Sequence, residues 1–232
     1  MTLPADFPPC YAVIVAGGSG NRMKSDRPKQ FLLLDSRPVL MHTLEAFTRS
    51  RYSPKIILVL SKAWHQHWRN LCEEHAFTLP CILAEGGESR FHSVKSGLGH
   101  VPDNALVAVH DGARPLTGAS LIDACYRSAQ ENGNGVAALA ATDTVRLVEN
   151  AAYRQLNRQD VYLMQTPQTF RSTDLKAAYA LAFTEDITDD ACVWERAGNA
   201  IVLVEGERSN IKITWPDDLA YAGFLLAQKK PY

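Results

Sequence analysis

Residues 56–60 read Ile-Ile-Leu-Val-Leu, an unbroken β-branched and apolar run. A strand with one face in water alternates polar and apolar residues, so a continuous run of this length predicts a strand covered on both faces. Similar short runs recur at Tyr11–Val15 (YAVIV), Cys81–Ala84, Ala105–His110 (ALVAVH) and Val136–Ala141. Between them lie segments with apolar residues at helical spacing: Val39–Arg49, Lys62–Ala76, Ser89–His100 and Ser120–Asn132. Strands separated by helices of this length build right-handed βαβ units. The expected architecture is therefore α/β, Rossmann-like, with a mostly parallel twisted sheet flanked by helices. Helices at Thr173–Phe183 and Asp189–Ala197, strands at Ala200–Val204 and Asn210–Thr214, and a last helix over Pro216–Gln228 complete the expectation. Pro216 followed by Asp217 and Asp218 suits a helix start. No repeat, low-complexity tract or Gly/Ser linker interrupts the 232 residues, so one domain is expected.

The rhythm breaks over 143–165. Asp143–Glu149 (DTVRLVE) and Asp160–Gln165 (DVYLMQ) alternate polar and apolar residues around the polar stretch Asn150–Gln159. This pattern predicts an extended hairpin-like arm, which is marginal alone and gains stability by pairing with a second subunit. A homodimer through the arm is the corresponding expectation. With 24 basic against 25 acidic residues the formal net charge is −1, which argues against nucleic acid or an anionic membrane surface as partner. No apolar run reaches the length of a membrane span, and Met1 to Pro9 lack the pattern of a signal peptide. The five cysteines (Cys10, Cys72, Cys81, Cys125, Cys192) form no C-x-x-C pair. Reduced thiols in a cytoplasmic protein are expected.

Ligands of open α/β sheets bind beyond the carboxyl ends of the strands. Three features fall there: the glycine-rich stretch after Val15, Gly86-Gly87 after Ala84, and His110-Asp111 after Val109. The first reads V-A-G-G-S-G-N-R-M-K-S-D-R-P-K-Q over 15–30. Its glycines let backbone N–H groups approach anionic oxygens closely. It matches neither G-x-G-x-x-G nor the Walker loop, which argues against a dehydrogenase or a P-loop kinase. Arg22 and Lys29 follow as cations, with Pro28 stiffening the approach to Lys29. Transfer at phosphorus adds negative charge to the phosphoryl oxygens, and preplaced cations stabilise it without a protein nucleophile.

A-G-G-x-G-x-R-M followed by P-K-Q-F resembles the signature of the 2-C-methyl-D-erythritol 4-phosphate cytidylyltransferases. Six further segments agree in order: E-G-G-E-S-R-x-x-S-V (85–94), H-D-G-A-R-P (110–115), D-T-V (143–145), Q-T-P-Q-T-F (165–170), I-T-D-D-A (187–191) and N-I-K-I-T (210–214). The resemblance implies a nucleotidyltransferase fold, use of CTP and a small polyol phosphate, and Mg²⁺ held mainly by the CTP phosphates. It implies that Ala16, Gly17, Gly18 and Gly20 cradle the triphosphate, and that Arg22 and Lys29 stabilise the transition state. Gly87, Glu88 and Ser93 would surround the cytosine, and Asp111 and Gly112 would face the ribose and acceptor. Arg114, Thr144, Thr166, Thr188 and Lys212 would hold the acceptor, Lys212 positioning its phosphate. Arg158 would reach the neighbouring subunit's site. No protein-built metal site is expected, and Asp111 is the one carboxylate nominated near a metal.

Three positions depart from the family pattern. Asn21 stands where some members have Arg, Glu88 where they have Asp, and Gly112 where others have Ala; the last is expected to be harmless. The nearest alternative is a ribitol 5-phosphate cytidylyltransferase. Another is a sugar-1-phosphate nucleotidyltransferase, which usually has a longer chain. A non-catalytic nucleotide-sensing domain is disfavoured by retention of Arg22, Lys29 and Lys212. His42, His65, His67, His75, His92 and His100 show no ligand spacing, and His110 is expected to shape its loop. Trp64 and Trp68 are expected to pack a helix. Asp189-Asp190 is expected to favour a helix start, with Thr188 as its cap.

Overall fold

The computed structural model of the chain describes residues 7–18 and 28–229. Its centre is a seven-stranded sheet. Five strands come from the predicted runs: β1 (Cys10–Val15), β4 (Lys55–Leu60), β5 (Cys81–Glu85), β6 (Leu106–Asp111) and β7 (Asn134–Ala140). Helices α1 (Val39–Thr48), α2 (His65–Glu74) and α3 (Arg90–Leu98) fall within the helical-period segments, and α4 (Ala119–Asn132) starts one residue before its own. Two short strands, β2 (Leu33–Leu34) and β3 (Arg37–Pro38), precede α1.

The unbroken run at 56–60 is explained by the two cores. Ile56, Leu58 and Leu60 point into one cluster with Leu40, Leu44 and Phe47 of α1 and Trp68 of α2. Ile57 and Val59 point into the other with Phe91, Val94 and Leu98 of α3. Both faces of β4 are dry, so neither parity can be polar. Each such aliphatic side chain contributes about 1.5–3 kcal/mol by leaving water.

Strand order is β11-β7-β10-β6-β1-β4-β5, where β10 is Tyr162–Arg171 and β11 is Leu203–Glu205. β1 pairs parallel with both β4 and β6. The chain runs outward from β1 through β4 to β5 and then returns to place β6 on the other side. The switch point between β1 and β6 opens a crevice at their carboxyl ends. Register puts Val15 opposite Asp111, and the Gly112 N–H donates to the Val15 carbonyl at 2.8 Å. The glycine-rich loop and Asp111 are therefore neighbours by sheet pairing.

The arm differs from expectation. Its hairpin pairs β8 (Arg146–Glu149) with β9 (Ala152–Gln155), not with 160–165. Asn150 and Ala151 turn it with φ of 49° and 64°, the left-handed pair a two-residue turn requires. The 160–165 segment instead enters β10, which lies antiparallel between β6 and β7. Pro167 argues against a central strand, and β10 accommodates it at a register shift between Met164 and Gln168.

The C-terminal part also departs in detail. α5 is Ser172–Ala178 and α6 is Asp190–Arg196. The α6 cap is Asp189, whose carboxylate accepts from the Cys192 N–H at 2.9 Å, and not Thr188. Residues 210–214 form no strand. They run irregularly past the carboxyl end of β6, pinned where the Ile213 N–H donates to the Ala113 carbonyl at 2.9 Å. α7 (Pro216–Lys229) follows, as predicted.

Candidate active site

A cleft of about 590 Å³ opens at the switch point. Ala16, Gly17 and Gly18 form one side, Gly87 to Arg90 and Ser93 the second, and Asp111 to Ala113 the floor. Lys29, Gln30, Lys212 and Thr214 complete it. Ten of the sequence-predicted ligand-binding and catalytic residues after Val15 thus meet in one place, drawn from five separated segments. Arg22, Gly20 and Asn21 lie outside the described residues.

Local structure explains how Lys29 is carried. Pro28 leads into a single 3₁₀ turn, Lys29–Phe31. Phe31 is buried and packs against Trp64 and His67 at ring separations of 5.5 and 5.0 Å. Gln30 donates from Nε2 to the Ala16 carbonyl at 2.6 Å, latching this turn to the glycine loop. Gln30 was given no role from sequence, although it stands in the quoted P-K-Q-F.

The second wall is a tight turn into α3. The Ser89 Oγ accepts the His92 N–H at the helix start. The Ser93 hydroxyl accepts from the Gly87 N–H at 3.1 Å and donates to the Ser89 carbonyl at 2.9 Å. Ser93 thus braces the wall, its one proton already committed. A Cβ on Gly87 would lie 2.4 Å from the His92 Cβ and 3.0 Å from its carbonyl carbon. Gly87→Ala is accordingly expected to displace the turn and raise the KM for the nucleotide about ten-fold or more, checked by steady-state kinetics. A Cβ on Gly112 would meet the Ala16 Cβ at 2.8 Å and Leu40 Cδ1 at 3.2 Å. Alanine there is therefore not neutral in this chain, because the floor and the glycine loop touch.

The floor is an ionic cluster around Asp111. Lys212 Nζ lies 2.9 Å from Oδ2, Arg114 Nε 3.5 Å from Oδ2 and Arg90 Nε 3.4 Å from Oδ1. Burial alone would raise the Asp111 carboxyl, but the charges of Arg90, Lys212 and Arg114 outweigh it and hold the group well below the usual carboxylate range. Arg90 also forms a two-point pair with buried Asp190, at 3.1 and 2.6 Å. Burial opposes the Arg90 charge, yet Asp190 and Asp111 keep it firmly protonated. Arg90 and Asp190 are the residues the sequence reading missed. The signal was there, since one lies in E-G-G-E-S-R and the other in I-T-D-D-A, but only folding shows that they touch.

Behind the floor, the Thr166 hydroxyl accepts from the Asp111 N–H at 3.1 Å and donates to His110 Nδ1 at 3.0 Å. His110 Nε2 then faces the Arg114 carbonyl and Thr117 Oγ1, both at 3.3 Å. This network fixes the Nε2–H tautomer. Burial pushes His110 down to about 3, the nearby Asp111 charge only partly opposing it. The unfolded chain therefore binds a proton below about pH 6.5 that the folded chain refuses until about pH 3, so stability falls as pH drops through that window. His110→Gln should flatten the slope of unfolding free energy between pH 6 and 4 by up to about 1.4 kcal/mol per pH unit, measured by urea titration at each pH.

Arg114 and Thr166, expected on the acceptor, are buried and sit behind the cleft lining; Arg114 donates from Nη1 to the Asn210 carbonyl at 2.8 Å. Thr144 and Thr188 are exposed and do not line the cleft. Arg158 stands on the exposed arm, donating to the Thr142 carbonyl at 3.1 Å. Glu88 is exposed at the cleft rim. Among the described residues no group of three His, Cys, Asp or Glu side chains could hold a metal.

A mostly parallel α/β sheet whose switch-point cleft joins a glycine loop to fixed cations defines a nucleotidyltransferase. The family model of 2-C-methyl-D-erythritol 4-phosphate cytidylyltransferase matches residues 10–228, and the chain belongs to this family. It is 46% identical over 214 residues to the 2-C-methyl-D-erythritol 4-phosphate cytidylyltransferase of Bacteroides thetaiotaomicron, covering 92% of this chain and 98% of that one. It superposes on 4-diphosphocytidyl-2C-methyl-D-erythritol synthase from Anaerococcus prevotii with a TM-score of 0.81 at 29% identity, covering 95% of this chain and 99% of that one. The Thermus thermophilus 2-C-methyl-D-erythritol 4-phosphate cytidylyltransferase gives 0.74 at 31% identity, covering 94% and 99%.

Proposed function

We propose that this enzyme transfers CMP from CTP to 2-C-methyl-D-erythritol 4-phosphate, forming 4-diphosphocytidyl-2-C-methyl-D-erythritol and pyrophosphate for isoprenoid synthesis. A phosphate oxygen of the acceptor attacks the α-phosphorus of CTP, and the bond to the β-phosphate oxygen breaks. The acceptor is already an anion, so no general base is needed. The difficulty is bringing two anions together, which fixed cations solve by neutralisation and alignment. The observation that carries the reading is the Lys212–Asp111 pair on the floor of a cleft that also holds Lys29 and the glycine loop. In this reading Gly17 and Gly18 take the triphosphate with backbone N–H groups, Lys29 (with Arg22) meets the charge growing at the α-phosphate, and Lys212 aligns the acceptor phosphate.

The chemistry of the donor set fits a Mg²⁺ ion held mainly by substrate phosphates. Asp111 is the cleft's floor carboxylate, and its Oδ2 would have to exchange Lys212 for the ion. When bound, the ion neutralises phosphate charge.

We further propose a homodimer through the arm, with Arg158 entering the partner's cleft. The hairpin and the start of β10 expose Val148, Tyr153, Tyr162 and Leu163, apolar side chains that a partner subunit would cover. Five free thiols suit a reducing, cytoplasmic setting. Gel filtration should give a dimer, and Arg158→Ala should raise the acceptor KM about ten-fold. A fully active monomer would refute the arm's role.

The test of the reaction is pyrophosphate release with CTP, UTP or GTP against methylerythritol phosphate, ribitol 5-phosphate and a sugar 1-phosphate. CTP with methylerythritol phosphate should be fastest. No release from that pair sinks the proposal.

A further inference from the structure

The cluster at Asp111 is asymmetric. Arg114 is tied from behind by the Asn210 carbonyl, and Arg90 by the Asp190 carboxylate. Lys212 approaches from the cleft side with 40% of its side chain exposed. Asp190 itself is fully buried and accepts a further hydrogen bond, 2.6 Å from the Tyr179 hydroxyl to Oδ1. The Tyr179 ring is stacked on Phe91, the residue after Arg90, with centroids 4.7 Å apart. Arg90 therefore has two of its nitrogens engaged by Asp190, and its Nε is left aimed at Asp111 Oδ1.

Stability alone does not account for this arrangement. A buried ion pair generally stabilises a fold no better than apolar residues of the same volume would. What the pair does is fix where a guanidinium stands. With Arg90 and Arg114 immobile, Asp111 keeps its counter-charge when Lys212 moves away. With Arg90 free to swing, Asp111 would hold Lys212, and drawing that ammonium onto a ligand would leave a buried carboxylate short of counter-charge.

We propose that Asp190 and Tyr179 are positioning residues: by holding Arg90 as the standing counter-ion of Asp111, they release Lys212 to the phosphate of an incoming substrate. The inference rests on the transferase reading above and adds to it a device two contacts removed from the substrate. Asp190 touches neither ligand nor reacting atom; it acts through Arg90 and Asp111 on Lys212.

The test is a double-mutant cycle on kcat/KM for pyrophosphate release, with Asp190→Asn and Lys212→Gln made singly and together. Single turnovers at enzyme excess keep the weakest variant measurable. Asp190→Asn alone should lower kcat/KM about 10- to 100-fold, since misplaced groups outside the chemistry cost on that scale. In the Lys212→Gln background the same change should cost less than about three-fold, because the group it acts on is gone. Equal losses in both backgrounds mean a structural role only and overturn the inference. Tyr179→Phe, which keeps the stacked ring, repeats the cycle with a smaller factor if Asp190→Asn fails to fold. A wild-type enzyme that releases no pyrophosphate would sink the transferase reading, whereas an active wild type with an additive cycle sinks only this inference.

Discussion

Lys29→Ala is expected to lower kcat by on the order of 10²-fold or more while the Kd for CTP changes by less than about ten-fold. The reason is where the side chain is rooted. Lys29 opens a 3₁₀ turn whose other residues are both buried, Gln30 latched to the Ala16 carbonyl and Phe31 packed on Trp64. A cation on such a rigid base is aimed before substrate arrives, so little reorganisation is required when charge grows in the transition state. A cation used only for ground-state binding would show the opposite split. Pyrophosphate-release kinetics together with calorimetric CTP titration separate the two. A variant that keeps kcat and loses only CTP affinity contradicts the assignment.

Asp111→Ala is expected to destabilise the fold by about 3 kcal/mol, the scale for removing one member of a buried charge cluster. Arg90, Arg114 and Lys212 converge on this carboxylate, and Arg114 is only 8% exposed. Without it they repel one another at the cleft floor. The shift should appear as a lower urea midpoint at pH 7. Because the folded-state affinity of Asp111 for a proton is depressed, its stabilisation is complete above about pH 4 and is lost as pH falls below that value. Asp111→Ala should therefore lose least relative to the parent at the acid end. An unchanged midpoint at neutral pH would show that the cluster is not held by its charge.

Much of the fold was legible because burial writes directly into residue type. The parity of β4 needed apolar side chains on both faces, so 56–60 announced a covered strand. The α1–α4 helices and α7 were read from period and start signals in the same way. The errors came where pairing, not composition, decides structure. Residues 160–165 alternate as an arm strand would, yet their partner is β7, a choice made by the sheet edge available to β10. Residues 210–214 have strand-like chemistry, yet run irregularly, because the cleft and not a neighbouring strand lies beside them.

The site divides along the same line. Glycines after a buried strand, Lys29 behind a proline and Lys212 in a short motif were all visible as residue types fit for phosphate. Arg114 and Thr166 carry the same chemical types, but the structure spends them on Asn210, Asp111 and His110 behind the floor. Arg90 and Asp190 are 100 residues apart, and no spacing rule could join them.

By itself the sequence determined the α/β class, the strand ends at which ligands bind and the kind of chemistry the cations support. These follow from local facts: side-chain volume, β-branching, glycine and charge. Only the tertiary structure decided that Val15 pairs with Asp111, that Arg90 turns to Asp190, and that Lys212 is the most exposed of the three cations on Asp111. Those depend on sheet register and on which charges lose their water together, and neither quantity is a property of any single segment.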